Sequence, residues 1–114
     1  MDDINEKWKT LEHILEKRLG RKPNMEGILM LIGLQEISSS KTRFTKEEKQ
    51  DLIHVGTCTL LAQEGYYRFV KKDDEGWPHY QQIKPIPEMD AEHQEMWLKK
   101  LMLCYFEPLF EKHV

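Results

Sequence analysis

The chain has 114 residues, of which 39% are hydrophobic and 32% charged, and its formal net charge is −3. That length suits one domain over residues 1–114 with one core, and the content of Leu, Ile and aromatics excludes a disordered chain. The acidic balance argues against nucleic acid as the partner, because a binder of phosphates carries a basic surplus on one face.

The opening segment Met1–Glu6 is acidic and helix-like, without the basic start and apolar centre of a signal peptide, so the cytoplasm is the expected compartment. From about Asp3 to Leu19 the apolar residues Ile4, Trp8, Leu11, Ile14, Leu15 and Leu19 recur at helical steps and predict an amphipathic helix. Gly20 and Pro23 end it.

Asn24 is placed to cap a second helix. Its body, Gly27–Ile37, is apolar at nearly every position. A helix without a polar face belongs in the interior, so this one is expected to be the buried centre of the fold. At about 11 residues it is too short for a membrane span, which needs about 20. Gly27 and Gly33 lie within it, and glycine inside a helix costs about 1 kcal/mol against alanine, which points to a close helix–helix approach.

Ser38–Phe44 reads as a polar loop, with Phe44 turned back to the core. Thr45 and Glu48 form the signature of a capping box. They open a third helix that carries Leu52, Ile53, Val55, Gly56, Leu60 and Leu61 and ends at Gly65. The pattern then changes to one that suits strands, Tyr66–Val70 and His79–Ile83, joined by Lys71–Pro78. Pro78 has to sit at a strand start or on an edge. Asp90 is placed to cap a last helix with Trp97, Leu101, Cys104 and Tyr105 on one stripe. Pro108 is expected to stop or kink it, leaving a short tail in which Leu109 and Phe110 dock and His113 and Val114 fray.

The fold expected is therefore mainly α: four helices around a buried second helix, with one antiparallel β-hairpin between helices three and four. That order is also winged-helix-like. The DNA-binding reading meets three obstacles. The Ser38–Phe44 loop is longer than a helix-turn-helix turn. The third helix sets Glu47, Glu48, Asp51 and Glu64 against Lys46 and Lys49. The hairpin's Arg68, Lys71 and Lys72 face Asp73, Asp74 and Glu75.

The hairpin region is dense in aromatics, and alternation places Tyr67 and Phe69 on one face and Tyr66, Arg68 and Val70 on the other. Two readings compete. In the first, both faces are core, because a small domain needs every aromatic it has. In the second, one face is a contact surface made of Tyr67, Phe69, Trp77 and Tyr80, with His79 as its titratable member.

Other chemistry is weakly indicated. His54 and Cys58 share a helix face, and His93 and Cys104 are the remaining partners for a zinc site, but no dense ligand motif is present and a buried reduced Cys58 is the ordinary case. A Cys58 nucleophile with His54 as base lacks any feature that would activate the thiolate. Glu47, Glu48 and Asp51 are reminiscent of the magnesium-holding carboxylates of helical nucleotide pyrophosphatases, but no matching pair stands on a second helix, so they read as helix N-terminal electrostatics. No catalytic residue, cofactor or metal is assigned.

Leu31–Glu36, Lys46–His54, Gly65–Tyr67 and Asp74–His79 together resemble a family of small uncharacterised bacterial proteins. The resemblance implies a bacterial cytosolic domain and no catalytic residues. A non-enzymatic interaction or regulatory module, with a protein partner or a second copy of itself, is the first functional expectation. A winged-helix-like nucleic-acid binder is the second and a small enzyme the third.

Overall fold

Residues 24–62 form a helical hairpin, α2 (Met25–Glu36) followed by α3 (Lys46–Ala62). The structure, a computed structural model, describes residues 3–113, with side chains to residue 111. The expected fraying of Val114 lies outside the described residues, as does that of the His113 side chain.

Both helices start where side-chain chemistry places them. Asn24 accepts the Gly27 N–H at 2.7 Å. Thr45 Oγ1 accepts the Glu48 N–H at 3.1 Å, and Glu48 Oε1 accepts the Thr45 N–H at 2.8 Å, so the capping box closes as expected. Gly33 of α2 lies against the backbone of Leu52, and Gly56 of α3 lies against that of Leu29. The pairing 33 with 52 and 29 with 56 means that the helices run antiparallel and touch backbone to backbone at two points. Gly33 was expected to serve such an approach. Its counterpart is Gly56, whereas Gly27 sits in the capped first turn.

Ile28, Leu29, Ile32 and Gly33 of α2 are buried, as are Leu52, Val55, Gly56, Cys58, Leu60 and Leu61 of α3. The expectation that α2 is covered on every side needs correction at Leu34, which is 40% exposed. Ile37 lies outside the helix and closes it through its N–H to the Gly33 carbonyl at 3.1 Å.

Strands β1 (Tyr67–Lys72) and β2 (Pro78–Gln82) pair antiparallel and pack on α3. Lys71 and Lys72 belong to β1 and not to the turn, because Asp73, Gly76 and Trp77 close the turn among themselves. Pro78 opens β2, where its missing N–H interrupts no ladder. A bulge lies between Phe69 and Lys71: Phe69 pairs with Tyr80 and Lys71 with His79, leaving Val70 as the extra residue. Regular pairing therefore runs from Tyr67 to Phe69 and is interrupted at Val70.

The chain divides into two compact units by contact: residues 24–86, described above, and residues 1–23 with 87–114. In the second unit α1 (Asp3–Leu19) packs with α4 (Ala91–Tyr105) and α5 (Glu107–His113). Its buried side chains are Trp8, Leu11, Ile14, Leu15, Leu101, Met102 and Phe106. The α1 stripe is shorter than its periodicity suggested, since Leu19 is 43% exposed. Asp90 caps α4 through the His93 N–H at 2.9 Å.

The fold class is as expected, mainly helical with one hairpin between the third and fourth helices. Five helices occur among the described residues, where four were expected. Pro108 does end the long helix pattern at Tyr105, but it stands in the first turn of α5, where a missing N–H and a fixed φ favour helix initiation. Cys104 is exposed, so it does not belong to the buried stripe of α4.

Candidate functional site

The five residues proposed as a contact surface divide between two environments. Tyr80 Oη and Thr59 Oγ1 of α3 lie 2.9 Å apart in a hydrogen bond, and Thr59 also donates to the Val55 carbonyl at 2.8 Å. Tyr80 is thus bound to the helix, half-buried, and burial is the first cause that pushes its phenol above the ordinary value. Trp77 is half-buried and meets Phe44 edge to face, with centroids 6.4 Å apart. Phe44 accordingly turns inward, as its position in the loop suggested.

Phe69 behaves differently. It packs edge to face on Tyr80 at 6.0 Å yet remains 50% exposed. Tyr67 is half-buried and His79 is exposed. Neither reading of the aromatics therefore holds throughout: Tyr80 and Trp77 serve packing on one side and face a cavity on the other, whereas Phe69 and His79 meet water.

The hairpin turn is organised by Asp73. Its carboxylate accepts the N–H groups of Glu75 (2.9 Å) and Trp77 (3.0 Å), and His79 Nε2 donates to it at 2.9 Å. The Trp77 N–H, followed by the bond from His79, holds the Asp73 carboxyl below its ordinary value of 3.8. The folded value lies below the unfolded one, so this contribution to stability is complete above pH about 4 and is lost as pH falls through the folded value. In an acid titration followed by NMR, the amide signals of Glu75 and Trp77 should move together with a midpoint below 3.8. Asp73→Asn should abolish that transition, and a midpoint at or above the ordinary value would show that the carboxylate is not held by these donors.

A cavity of about 370 Å³ lies between α3 and the hairpin. Glu48, Asp51, His54, Val55 and Cys58 line it from α3. The hairpin contributes Asp73, Glu75, Trp77, Pro78, His79 and Tyr80. Three of the five residues expected at a contact surface, Trp77, His79 and Tyr80, thus converge on one cleft. The carboxylates on its walls were missed as members of one site, because residues 48 and 51 are joined to residues 73 and 75 only through the hairpin's docking on α3.

Cys58 Sγ lies 3.5 Å from His54 Nε2. The thiol is buried, and burial pushes it up to about 11, which favours the thiol over the thiolate at neutral pH. Both cysteines are free. His93 stands in the other unit, where its Nδ1 bonds Asp90 at 2.7 Å. Among the described residues no three His, Cys, Asp or Glu side chains are placed to hold a metal ion.

Of the three cations expected on a DNA-contacting wing, Arg68 and Lys72 are engaged locally and Lys71 is exposed. Arg68 Nη2 donates to Gln81 Oε1 at 2.6 Å, Lys72 Nζ bonds Ser38 Oγ, and Lys84 Nζ lies 4.3 Å from the centre of the Tyr66 ring. Residues 24–86 carry eight Lys and Arg against nine Asp and Glu, so the unit has no basic surplus. No described helix is long and apolar enough to cross a membrane. No family model matches the chain, and neither a curated protein nor a solved structure matches it significantly.

Proposed function

We propose that the chain is a non-enzymatic interaction module of the bacterial cytoplasm, and that the hairpin is its contact surface. The observation that carries this reading is where apolar surface is left open. Of the seven large hydrophobic residues exposed among the described residues, Phe69, Val70, Ile83 and Ile86 lie on the hairpin or the segment leaving it. Phe69, Val70 and Ile83 are 50%, 48% and 52% exposed. Apolar residues left open along one stretch of the chain suit a contact surface in a protein otherwise covered by polar groups.

The strand edges contribute less. A bulge at Val70 and two lysines at the end of β1 discourage addition of a further strand, so the partner is met by side chains more than by main-chain pairing. The compartment and bacterial origin follow the sequence resemblance. The partner is another protein or a second copy of this chain.

The test is a double variant, Phe69→Ser with Ile83→Ser. Both side chains are at least half exposed, so stability should change by no more than about 1 kcal/mol. Circular dichroism and the melting temperature check that. If the surface is the contact site, the variant loses more than about tenfold in affinity for a partner isolated with the wild-type chain, or in self-association by sedimentation. Unchanged affinity in a folded variant would remove the hairpin as the contact site.

A further inference from the structure

We infer that the groove formed by α1, α4 and α5 is a dimer surface, which receives the same groove of a second copy of the chain. The groove lies within the unit of residues 1–23 and 87–114 and has a volume of about 570 Å³. Its apolar lining comes from Ile4 of α1, Leu103 of α4 and Phe110 of α5, each half-buried, with the exposed Cys104 beside Leu103. Each of these side chains keeps part of its apolar surface in water.

Charge decides what covers that surface. The charged residues of the groove are sorted by helix: Lys7 and Lys100 stand on α1 and α4, and Glu107 and Glu111 stand on α5. The two glutamates are one turn apart and share a face of α5. Among the described residues no ion pair joins either lysine to either glutamate. Lys100, Glu107 and Glu111 have no side-chain partner there, and Lys7 meets only the exposed Asp3, at 3.8 Å. The groove thus holds two cations and two anions that do not neutralise each other.

A ligand of one charge sign is drawn to one of these pairs and repelled by the other. A second copy of the groove offers each pair its opposite. Half a turn about an axis through the apolar lining sets the lysines of one copy against the glutamates on α5 of the other, and the reverse contact is made at the same time. An isologous interface requires this self-complementarity, because every contact occurs twice and the assembly closes at two copies. Ile4, Leu103 and Phe110 of both copies then form the apolar centre, and the charge pairs form its rim.

The contact uses no residue of the hairpin, so a Phe69→Ser/Ile83→Ser chain should form this dimer unchanged. Sedimentation equilibrium of the full chain is expected to show a monomer and a dimer. Alkylation of the exposed Cys104 thiol by iodoacetamide should slow as the dimer forms. Lys7→Glu with Lys100→Glu sets like charges face to face, as does Glu107→Lys with Glu111→Lys, and each pair of substitutions should weaken the dimer at least about tenfold. All four side chains are exposed, so both variants should keep the circular dichroism of the parent. Mixing the two variants in equal amounts should restore the dimer, because opposite signs then meet again on both sides of the axis. Should either reversal lower the helical signal, the Cys104 reactivity of the unaltered chain decides alone. A chain that stays monomeric at about 1 mM, a dimer in which Cys104 reacts as fast as in the monomer, or folded variants that do not recover on mixing would each overturn the proposal. A dimer lost in the Phe69→Ser/Ile83→Ser chain would overturn it as well, and would assign self-association to the hairpin.

Discussion

Gly33→Ala and Gly56→Ala are each expected to destabilise the protein by about 3 kcal/mol, with a fall in Tm of about 10 °C or more. A Cβ on Gly33 would lie 2.8 Å from the carbonyl carbon of Leu52 and closer still to its oxygen. One on Gly56 would lie 2.9 Å from the carbonyl carbon of Leu29, again with the oxygen nearer. In both cases the obstacle is main chain inside a helix, which has no rotamer to change. Relief requires α2 and α3 to move apart, and every side chain packed between them loses contact.

Intrinsic helix propensity predicts the opposite sign, since alanine is favoured over glycine by about 1 kcal/mol in a helix interior. The sign of the measured change thus separates the two causes. Thermal and urea unfolding of the two variants check it, and a gain in stability for either would show that the helices are not in backbone contact there. The sites face each other across one interface, so the double variant should cost less than the sum of the single ones, because the separation forced by the first makes room for the second.

Gly76→Ala is expected to cost about 2–3 kcal/mol and to loosen the hairpin turn. Two penalties add. Gly76 has φ of +87°, a left-handed conformation that disfavours any residue with a Cβ. The Cβ would also lie 2.7 Å from the Ser38 carbonyl carbon, where the turn docks on the loop after α2. Ser38 donates its N–H to the Gly76 carbonyl at 2.7 Å, and this bond is lost if the turn withdraws.

Gly65→Ala is the control. Its φ is +79°, but a Cβ there meets nothing within 4 Å, so only the conformational cost of about 1 kcal/mol remains. Equal losses at the two positions in chemical denaturation would show that Gly76 is not pressed against Ser38.

Local structure was legible where the cause is local. The Asn24, Thr45 and Asp90 caps each depend on one side chain reaching an N–H within the same turn, and residue type and spacing are enough to identify them. The hairpin, the position of Pro78 at the start of β2 and the inward turn of Phe44 were readable for similar reasons. Boundaries moved where a short-range pattern met a competing bond: β1 runs on through Lys72 because Asp73 closes the turn one residue later.

What the amino-acid order determined by itself was the kind and sequence of elements, through hydrophobic period, capping groups and turn residues. Tertiary structure decided which backbone each glycine meets, which aromatics meet water and which carboxylates share a cleft. Gly33 and Leu52 are 19 positions apart, and Asp51 and Glu75 are 24 apart. No periodicity links such pairs; they become neighbours when α2 folds back on α3 and the hairpin settles on α3. Likewise the bulge at Val70 changes which face the following strand residues occupy, and it arises from pairing between strands that alternation along one strand does not register.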